Sequence, residues 1–99
     1  VGITVDEAKE KGISVITRKY LMSANGKSLL SQQERGFIKV VADSKSHCIL
    51  GAQMMCARAT DMISQFAVAI VNELTLEDMA KAIFPHPTFS EGISEAVRQ

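Results

Sequence analysis

The sequence predicts a single α+β domain in which helices cover one face of a mainly antiparallel sheet. Three observations lead to this prediction. Much of the first half consists of short stretches that are rich in β-branched and aromatic residues and bounded by turn residues, which is typical of strands. In the second half, apolar residues recur every three to four positions, which is typical of helices. The length of 99 residues and the apolar content of 46% suit one ordinary domain, and neither a shift in composition nor a repeat divides residues 1–99.

The chain begins with a predicted lead-in and a brief helix. Residues 1–5 are expected to form a short strand or an extended lead-in. Thr4 and Glu7 then have the spacing of a helix capping box, in which two side chains bond reciprocally to backbone amides at the start of a helix. The predicted helix ends at Gly12, because glycine commonly follows the last helical turn.

Three stretches are predicted to be strands: residues 13–21, 36–43 and 48–55. A polar turn joins the second to the third, so an antiparallel hairpin is expected there. Between the first two strands, residues 24–33 predict a loop with one helical turn. Asn25 and Gly26 are a turn signal in this loop, and Leu29 with Leu30 is an expected packing contact.

The second half predicts three helices. The first begins near Thr60, and its apolar face consists of Ile63, Phe66, Ala67, Ile70 and Leu74. The second is capped by Thr75 and must end before Pro85, because proline cannot continue a helix. Its apolar stripe consists of Leu76, Met79, Ala80 and Ile83. Thr88 and Glu91 repeat the capping-box spacing and introduce the last helix.

The first of these helices is apolar beyond one stripe. Met62, Val68 and Val71 extend its apolar surface around the helix. A domain of this size has too little other structure to cover two sides of one helix. The sequence therefore predicts a protein interface on this helix.

Composition argues against several classes of function. Eleven basic and eleven acidic residues give zero net charge, so no nucleic-acid partner is expected. The longest nearly uncharged run, residues 62–72, is shorter than the roughly 20 apolar residues of a membrane span, so no membrane anchor is expected either. Two cysteines without a signal-like start favour a reducing, intracellular compartment. The chain starts at Val1 rather than at methionine, which predicts a piece of a longer protein.

The candidate for chemistry is His86. It stands between Pro85 and Pro87, the only two prolines of the sequence, and Glu91 follows five residues later. A carboxylate that accepts from one imidazole nitrogen leaves the other free to exchange a proton near neutral pH, so His86 and Glu91 form a possible acid/base pair. The sequence leaves two plainer interpretations open: Glu91 caps the last helix with Thr88, and His86 is an exposed residue of a rigid turn.

Other reactive residues have weaker support. Cys48 and Cys56 are eight positions apart on or near one strand, too far for a disulfide, and are interpreted as small apolar residues. His47 beside Cys48 lacks the further ligands of a zinc site, so no metal is expected. The glycine positions match neither the dinucleotide-binding nor the phosphate-binding loop, so any nucleotide cofactor must be bound by another part of the protein. Four methionines are interpreted as packing residues: Met54, Met55, Met62 and Met79.

Five stretches together resemble a known family: residues 1–12, 24–27, 36–43 and 49–53, and the run His-Pro-Thr-Phe-Ser-Glu at 86–91. They are similar to the C-terminal interface, or dimerisation, domain of the flavin-dependent pyridine nucleotide-disulfide oxidoreductases. Within this family, the run at 86–91 looks most like that of the dihydrolipoyl dehydrogenases. The resemblance extends over residues 1–99 and implies the fold of the FAD/NAD-linked reductase dimerisation domain.

The resemblance implies a role for the chain within a larger enzyme. Residues 1–99 would be the dimerisation domain of an FAD- and NAD-dependent oxidoreductase, inactive alone, in which the missing domains of the same chain bind both cofactors. In the homodimer, His86 would act in the partner subunit's active site as acid/base for a redox disulfide, and Glu91 would orient it. The backbone of His86 and Pro87 would lie near the partner's flavin, with a cis bond between them.

The resemblance also implies a lipoyl-bearing protein as substrate, and the cytoplasm, or the mitochondrial matrix in a eukaryote, as the location. The alternative is a stand-alone dimerisation or adaptor module without catalysis. Two departures from the family pattern bear on these expectations. Residues 56–58, Cys-Ala-Arg, replace a Gly-Pro-Gly or Gly-Pro-Asn turn, and Phe84-Pro85 replaces a more common His-Ala. The flavin-binding fingerprint and the redox Cys-x4-Cys pair of the family are absent from the sequence.

Overall fold

The computed structural model describes residues 1–32 and 35–99, so Gln33, the last residue of the predicted loop, lies outside it. Its helices are α1 (Val5–Glu10), α2 (Gly26–Leu30), α3 (Ala59–Val71), α4 (Leu76–Ala80) and α5 (Glu91–Arg98), and a 3₁₀ turn spans Met22–Ala24. The strands are β1 (Val15–Leu21), β2 (Phe37–Asp43) and β3 (Ile49–Met55).

The three strands form one antiparallel sheet in the order β1-β2-β3. Leu21 lies opposite Phe37, and Phe37 lies opposite Met55. The hairpin turn between β2 and β3 is held by the carboxylate of Asp43, which accepts two backbone N–H groups of the turn at 2.9 Å. The predicted antiparallel hairpin is confirmed, and β1 completes the sheet at the other edge of β2.

Helices α3, α4 and α5 pack together with the sheet around one core, which confirms the predicted α+β class. α3 contacts β3, α5 contacts β1 and β2, and α4 contacts α5. Phe66 of α3, Ile93 of α5 and Ile38 of β2 are fully buried in this core. Val41 is also fully buried but lies outside this core. Because successive strand residues point to opposite faces, part of the second face of the sheet is covered as well.

The start of the chain is an extended lead-in rather than a strand. Gly2 forms one isolated bridge with Gly51 of β3. A Cβ atom at position 51 would lie 2.0 Å from the carbonyl oxygen of Ile3, so this close approach requires glycine. Thr4 then caps α1 by accepting the N–H of Glu7 at 3.2 Å, which is one of the two bonds of the predicted capping box. The reciprocal bond is not formed, because the carboxylate of Glu7 accepts the hydroxyl of Thr4 instead of its N–H.

Several apolar contacts expected from the sequence are wrong. Leu29 and Leu30 are more than half exposed, because α2 is a single short helix at the surface. Ile83 is 97% exposed, because α4 ends at Ala80 and the stripe is not continued beyond it. Met55 at the end of β3 is also exposed.

The long helix α3 buries a different stripe from the predicted one. Met62, Phe66 and Ala69 face the core. The other members of the predicted face are only partly buried: Ile63, Ala67, Ile70 and Leu74. Val68 and Val71 are 58% and 81% exposed, so the helix is apolar on more than one side, as predicted. No helix of the described residues is long and apolar enough to cross a membrane.

The departure at residues 56–58 coincides with an unusual backbone conformation. Arg58 precedes α3 with a φ of +65°, in the left-handed region that disfavours residues with a side chain. Its guanidinium lies 3.6 Å from the carboxylate of Asp61, and both side chains are exposed, so this ion pair adds little stability. A glycine at this turn, as in the family pattern, would avoid the strain at residue 58.

Candidate functional site

The predicted acid/base residue lies on the connection between α4 and α5, which extends from Lys81 to Ser90. Both prolines of the sequence are in this connection, and each ring fixes its own φ angle. The peptide bond between His86 and Pro87 is cis. His86 is therefore carried by a backbone with few free rotations.

His86 and Glu91 are in direct contact. Nδ1 of His86 lies 2.8 Å from Oε1 and 3.0 Å from Oε2 of Glu91. The imidazole side chain is 74% exposed, whereas that of Glu91 is 26% exposed. Within residues 1–32 and 35–99, Nε2 of His86 has no hydrogen-bond partner. The arrangement holds one ring nitrogen against a carboxylate and leaves the other available.

Glu91 also begins helix α5, and it bonds to Thr88 as the capping interpretation predicted. Its Oε1 accepts the N–H of Thr88 at 3.0 Å, and its own N–H donates to Oγ1 of Thr88 at 3.3 Å. These are the two reciprocal bonds of a capping box. The same carboxylate therefore fixes the helix terminus and the imidazole.

The turn at Asn25 and Gly26 lies beside this pair, which the sequence analysis did not foresee. Nδ2 of Asn25 donates to the carbonyl of Thr88 at 3.0 Å, and Oδ1 of Asn25 caps α2. A Cβ atom added at Gly26 would lie 3.6 Å from Cε1 of His86. Asparagine before a glycine could have indicated a helix cap, but no local signal indicates the bond to a residue 63 positions away.

Tyr20 of β1 is a second neighbour that the sequence did not single out. Burial, and then the negative charges of Glu95 and Glu91, raise the pKa of its hydroxyl. The phenol is therefore neutral at physiological pH and places no charge beside the pair.

The other candidate residues are separate from this site. Nδ1 of His47 lies 2.5 Å from Oε1 of Glu77 and joins the hairpin turn to α4. The hydrogen bond from His47 lowers the pKa of the Glu77 carboxyl. Cys48 and Cys56 are free thiols, and burial raises the pKa of Cys56. In the described part of the chain, no three His, Cys, Asp or Glu residues are grouped as metal ligands would be.

Comparison with known families decides the classification. Residues 1–97 match the family described as pyridine nucleotide-disulphide oxidoreductase, dimerisation domain. The chain belongs to this family. The resemblance inferred from the sequence is confirmed, and so is the assignment of the fold.

Relatives of this dimerisation domain are dihydrolipoyl dehydrogenases. The domain is 41% identical to the enzyme of Rhizobium etli over 97 residues, which are 98% of this chain and 20% of that protein. It is 44% identical to one of Bacillus subtilis over 96 residues, which are 97% of this chain and 20% of that protein. The chain thus spans about a fifth of the length of the curated relatives it matches.

Solved structures agree with the fold. The domain is similar to RclA of Escherichia coli, an HOCl-induced flavoprotein disulfide reductase, with a TM-score of 0.92 and 26% identity over 99% of this chain and 22% of that one. LpdA of Mycobacterium tuberculosis has a TM-score of 0.92 at 23% identity over 99% of this chain and 21% of that one, which supports the fold alone.

Proposed function

We propose that this chain is the C-terminal dimerisation domain of a dihydrolipoyl dehydrogenase-like, FAD-dependent oxidoreductase, and that His86 with Glu91 completes the active site of the partner subunit. The observation that carries the proposal is the contact between Nδ1 of His86 and both carboxylate oxygens of Glu91. The family membership and the dihydrolipoyl dehydrogenase relatives support the reaction class.

The proposed role of the pair is proton transfer. Glu91 accepts the Nδ1 proton and thereby selects the tautomer whose Nε2 carries a lone pair. Nε2 takes the proton of a dihydrolipoamide thiol, and the thiolate attacks one sulfur of the enzyme's redox disulfide. A mixed disulfide forms, the disulfide's other sulfur leaves as a thiolate, and the second substrate thiol then displaces the enzyme to close the lipoyl ring. The displaced enzyme sulfur keeps the proton of that second thiol, and His86 releases its own proton to solvent as the enzyme's dithiol is reoxidised.

The backbone at His86 and Pro87 has unused hydrogen-bond acceptors that could face a flavin. In the described residues, neither the carbonyl of His86 nor that of Pro87 receives a hydrogen bond from the chain. Two free acceptors on a restricted backbone suit one polar edge of a flavin ring. They cannot hold the whole cofactor, so FAD and NAD would be bound by the other domains. FAD, when bound there, would accept the two electrons of the dithiol.

The proposed homodimer would use the exposed side of α3. Val68 and Val71 provide exposed apolar surface, and a groove of about 390 Å³ between α3 and α4 continues it. Leu74, Met79 and Phe84 line this groove. Apolar surface of this kind is typical of permanent interfaces between copies of one chain. A lipoyl-bearing protein in the cytoplasm, or in a mitochondrial matrix, would be the substrate.

The test uses hybrid dimers of the full-length enzyme. One subunit carries His86→Gln, and the other carries serine in place of a redox cysteine. If His86 acts in the partner's site, one active site of the hybrid is intact, and we expect about half the wild-type activity per dimer. If it acts in its own subunit, both sites are defective and the hybrid is inactive.

The homodimer of His86→Gln is the companion measurement. We expect its kcat to fall by about 10² to 10⁴, the usual contribution of general acid/base catalysis, while the dimer remains intact. Unchanged turnover would favour the alternative, a dimerisation or adaptor module in which His86 has no catalytic role.

A further inference from the structure

We propose that Asn25 is a positioning residue for the His86–Glu91 pair and that it acts through the backbone of Thr88. The inference rests on the function proposed above, because it assumes that His86 exchanges a proton with the substrate. It concerns a residue 63 positions from Thr88 in the sequence.

Asn25 is a buried polar residue with a fixed orientation. The residue is 2% exposed. Oδ1 accepts the N–H of Ser28 at 2.9 Å and the hydroxyl of Ser28 at 3.1 Å, while Nδ2 donates to the carbonyl of Thr88 at 3.0 Å. A flipped amide would place a donor against the N–H of Ser28 and an acceptor against the carbonyl of Thr88. Such unsatisfied polar groups are destabilising when they are buried, so the amide has one orientation.

Thr88 transmits this orientation to the pair. Its hydroxyl donates to the carbonyl of Pro85 at 2.8 Å, and its N–H donates to Oε1 of Glu91 at 3.0 Å. The first bond lies within the segment 81–90, the connection between α4 and α5, and the second ties Thr88 to the first residue of α5. The carbonyl of Thr88 adds an attachment to a third element, because Asn25 immediately precedes α2. Oε1 of Glu91 is also the oxygen closest to Nδ1 of His86.

The same turn contacts the other end of the pair. Gly26 lies beside the imidazole of His86. A Cβ atom added to this glycine would be 3.6 Å from Cε1 of the ring. In the described residues, another side-chain bond from the body of the domain to this segment comes from Gln65, whose Nε2 lies 3.4 Å from Oγ of Ser90. That bond is long, so Asn25 provides the stronger attachment.

The test is Asn25→Ser in the full-length enzyme. Serine also caps helices, so α2 retains its cap and the charge is unchanged, but the shorter side chain cannot reach Thr88. We expect kcat to fall about tenfold while KM changes less than about twofold, because a misplaced proton acceptor slows the reaction more than it weakens binding. The pH profile of kcat/KM should change as well, because the geometry of the proton-transfer pair is altered.

The matched control is Asn72→Ser, the same substitution at the end of α3. Asn72 donates to the carbonyl of Val68 at 2.8 Å in an exposed position, so a similar bond is lost far from Thr88 in the sequence. We expect this variant to retain the wild-type kcat and pH profile. If Asn25→Ser behaves in the same way, the inference is overturned.

Two further variants separate the possible failures. If Asn25→Ser does not fold, Asn25→Asp is measured in its place, because aspartate also caps α2 and lacks the donor to Thr88. A wild-type kcat and a wild-type pH profile in Asn25→Asp overturn the inference. His86→Gln is measured beside it. Full turnover of His86→Gln refutes the proposed function and this inference together. If His86→Gln loses turnover but the Asn25 variant behaves like the wild type, the inference alone is refuted.

Discussion

At the scale of single residues, Glu91 combines a structural role with a proposed chemical one. Its carboxylate accepts the N–H of Thr88 and contacts Nδ1 of His86. The first bond needs only an acceptor oxygen, whereas the second, in the proposed mechanism, needs a negative charge to stabilise the imidazolium. The two roles can therefore be separated by changing the charge and retaining the shape.

The first prediction concerns this separation. Glu91→Gln keeps an oxygen that can accept the N–H of Thr88 but removes the charge. We expect the variant to melt close to the wild type and to lose about 10- to 100-fold in kcat. Glu91→Ala should lose activity and also about 1 kcal/mol of stability, because the turn that leads into α5 loses the acceptor for the N–H of Thr88. Steady-state kinetics and thermal denaturation of the full-length enzyme test this, and wild-type kcat in Glu91→Gln contradicts it.

At the scale of elements, short polar signals determine where the helices begin. Thr4, Asn25 and Thr75 cap α1, α2 and α4, each by accepting a backbone N–H two or three residues into the helix. Arg58 before α3 and Ser90 before α5 make no side-chain cap, and Arg58 also adopts a left-handed conformation. α3 forms despite this start because its buried stripe packs on β3.

The second prediction concerns the cap of α4. The backbone N–H of Thr75, and then its hydroxyl, hydrogen-bond to Asp78 and lower the pKa of its carboxyl below the ordinary 3.8. A depressed folded pKa means that the carboxylate stabilises the fold at neutral pH and that this contribution is lost as pH falls below 3.8 towards the lowered value. Protection of the α4 amides from hydrogen exchange should therefore decrease over that interval.

The variant Asp78→Asn should remove this pH dependence from α4. Asp43 supplies a control, because hydrogen bonds from the backbone of Ser46 and Lys45 also lower the pKa of its carboxyl, but in the hairpin turn. Asp43→Asn should leave the pH dependence of the α4 amides unchanged. Equal behaviour of the wild type and Asp78→Asn would argue against the capping contribution.

At the scale of the whole molecule, one core accounts for only part of the apolar surface. The core stripe of α3 is complete without Val68 and Val71, which remain exposed together with the groove beside α4. Family membership and this surface together support the proposed homodimer. The structure also separates residues that hold the core from those available to a second subunit.

The third prediction uses this distinction. Val71→Glu in the full-length enzyme should weaken dimerisation and leave the subunit folded, because residue 71 is 81% exposed. Phe66→Glu should instead unfold the domain, since it buries a charge in the core. Analytical ultracentrifugation and circular dichroism distinguish the two results. A Val71→Glu protein that remains fully dimeric at nanomolar concentration would place the interface elsewhere.

Local patterns were enough to predict the class of fold, the antiparallel hairpin and most helix caps, because these depend on residues that are near one another in the chain. They also indicated His86 and Glu91, whose contact spans only five positions. The packing of the elements, which no local pattern contains, determines that α3 buries Met62, Phe66 and Ala69 and that Ile83 is exposed. It alone placed Asn25 against Thr88, because a contact across 63 positions depends on how sheet and helices pack and not on any local pattern.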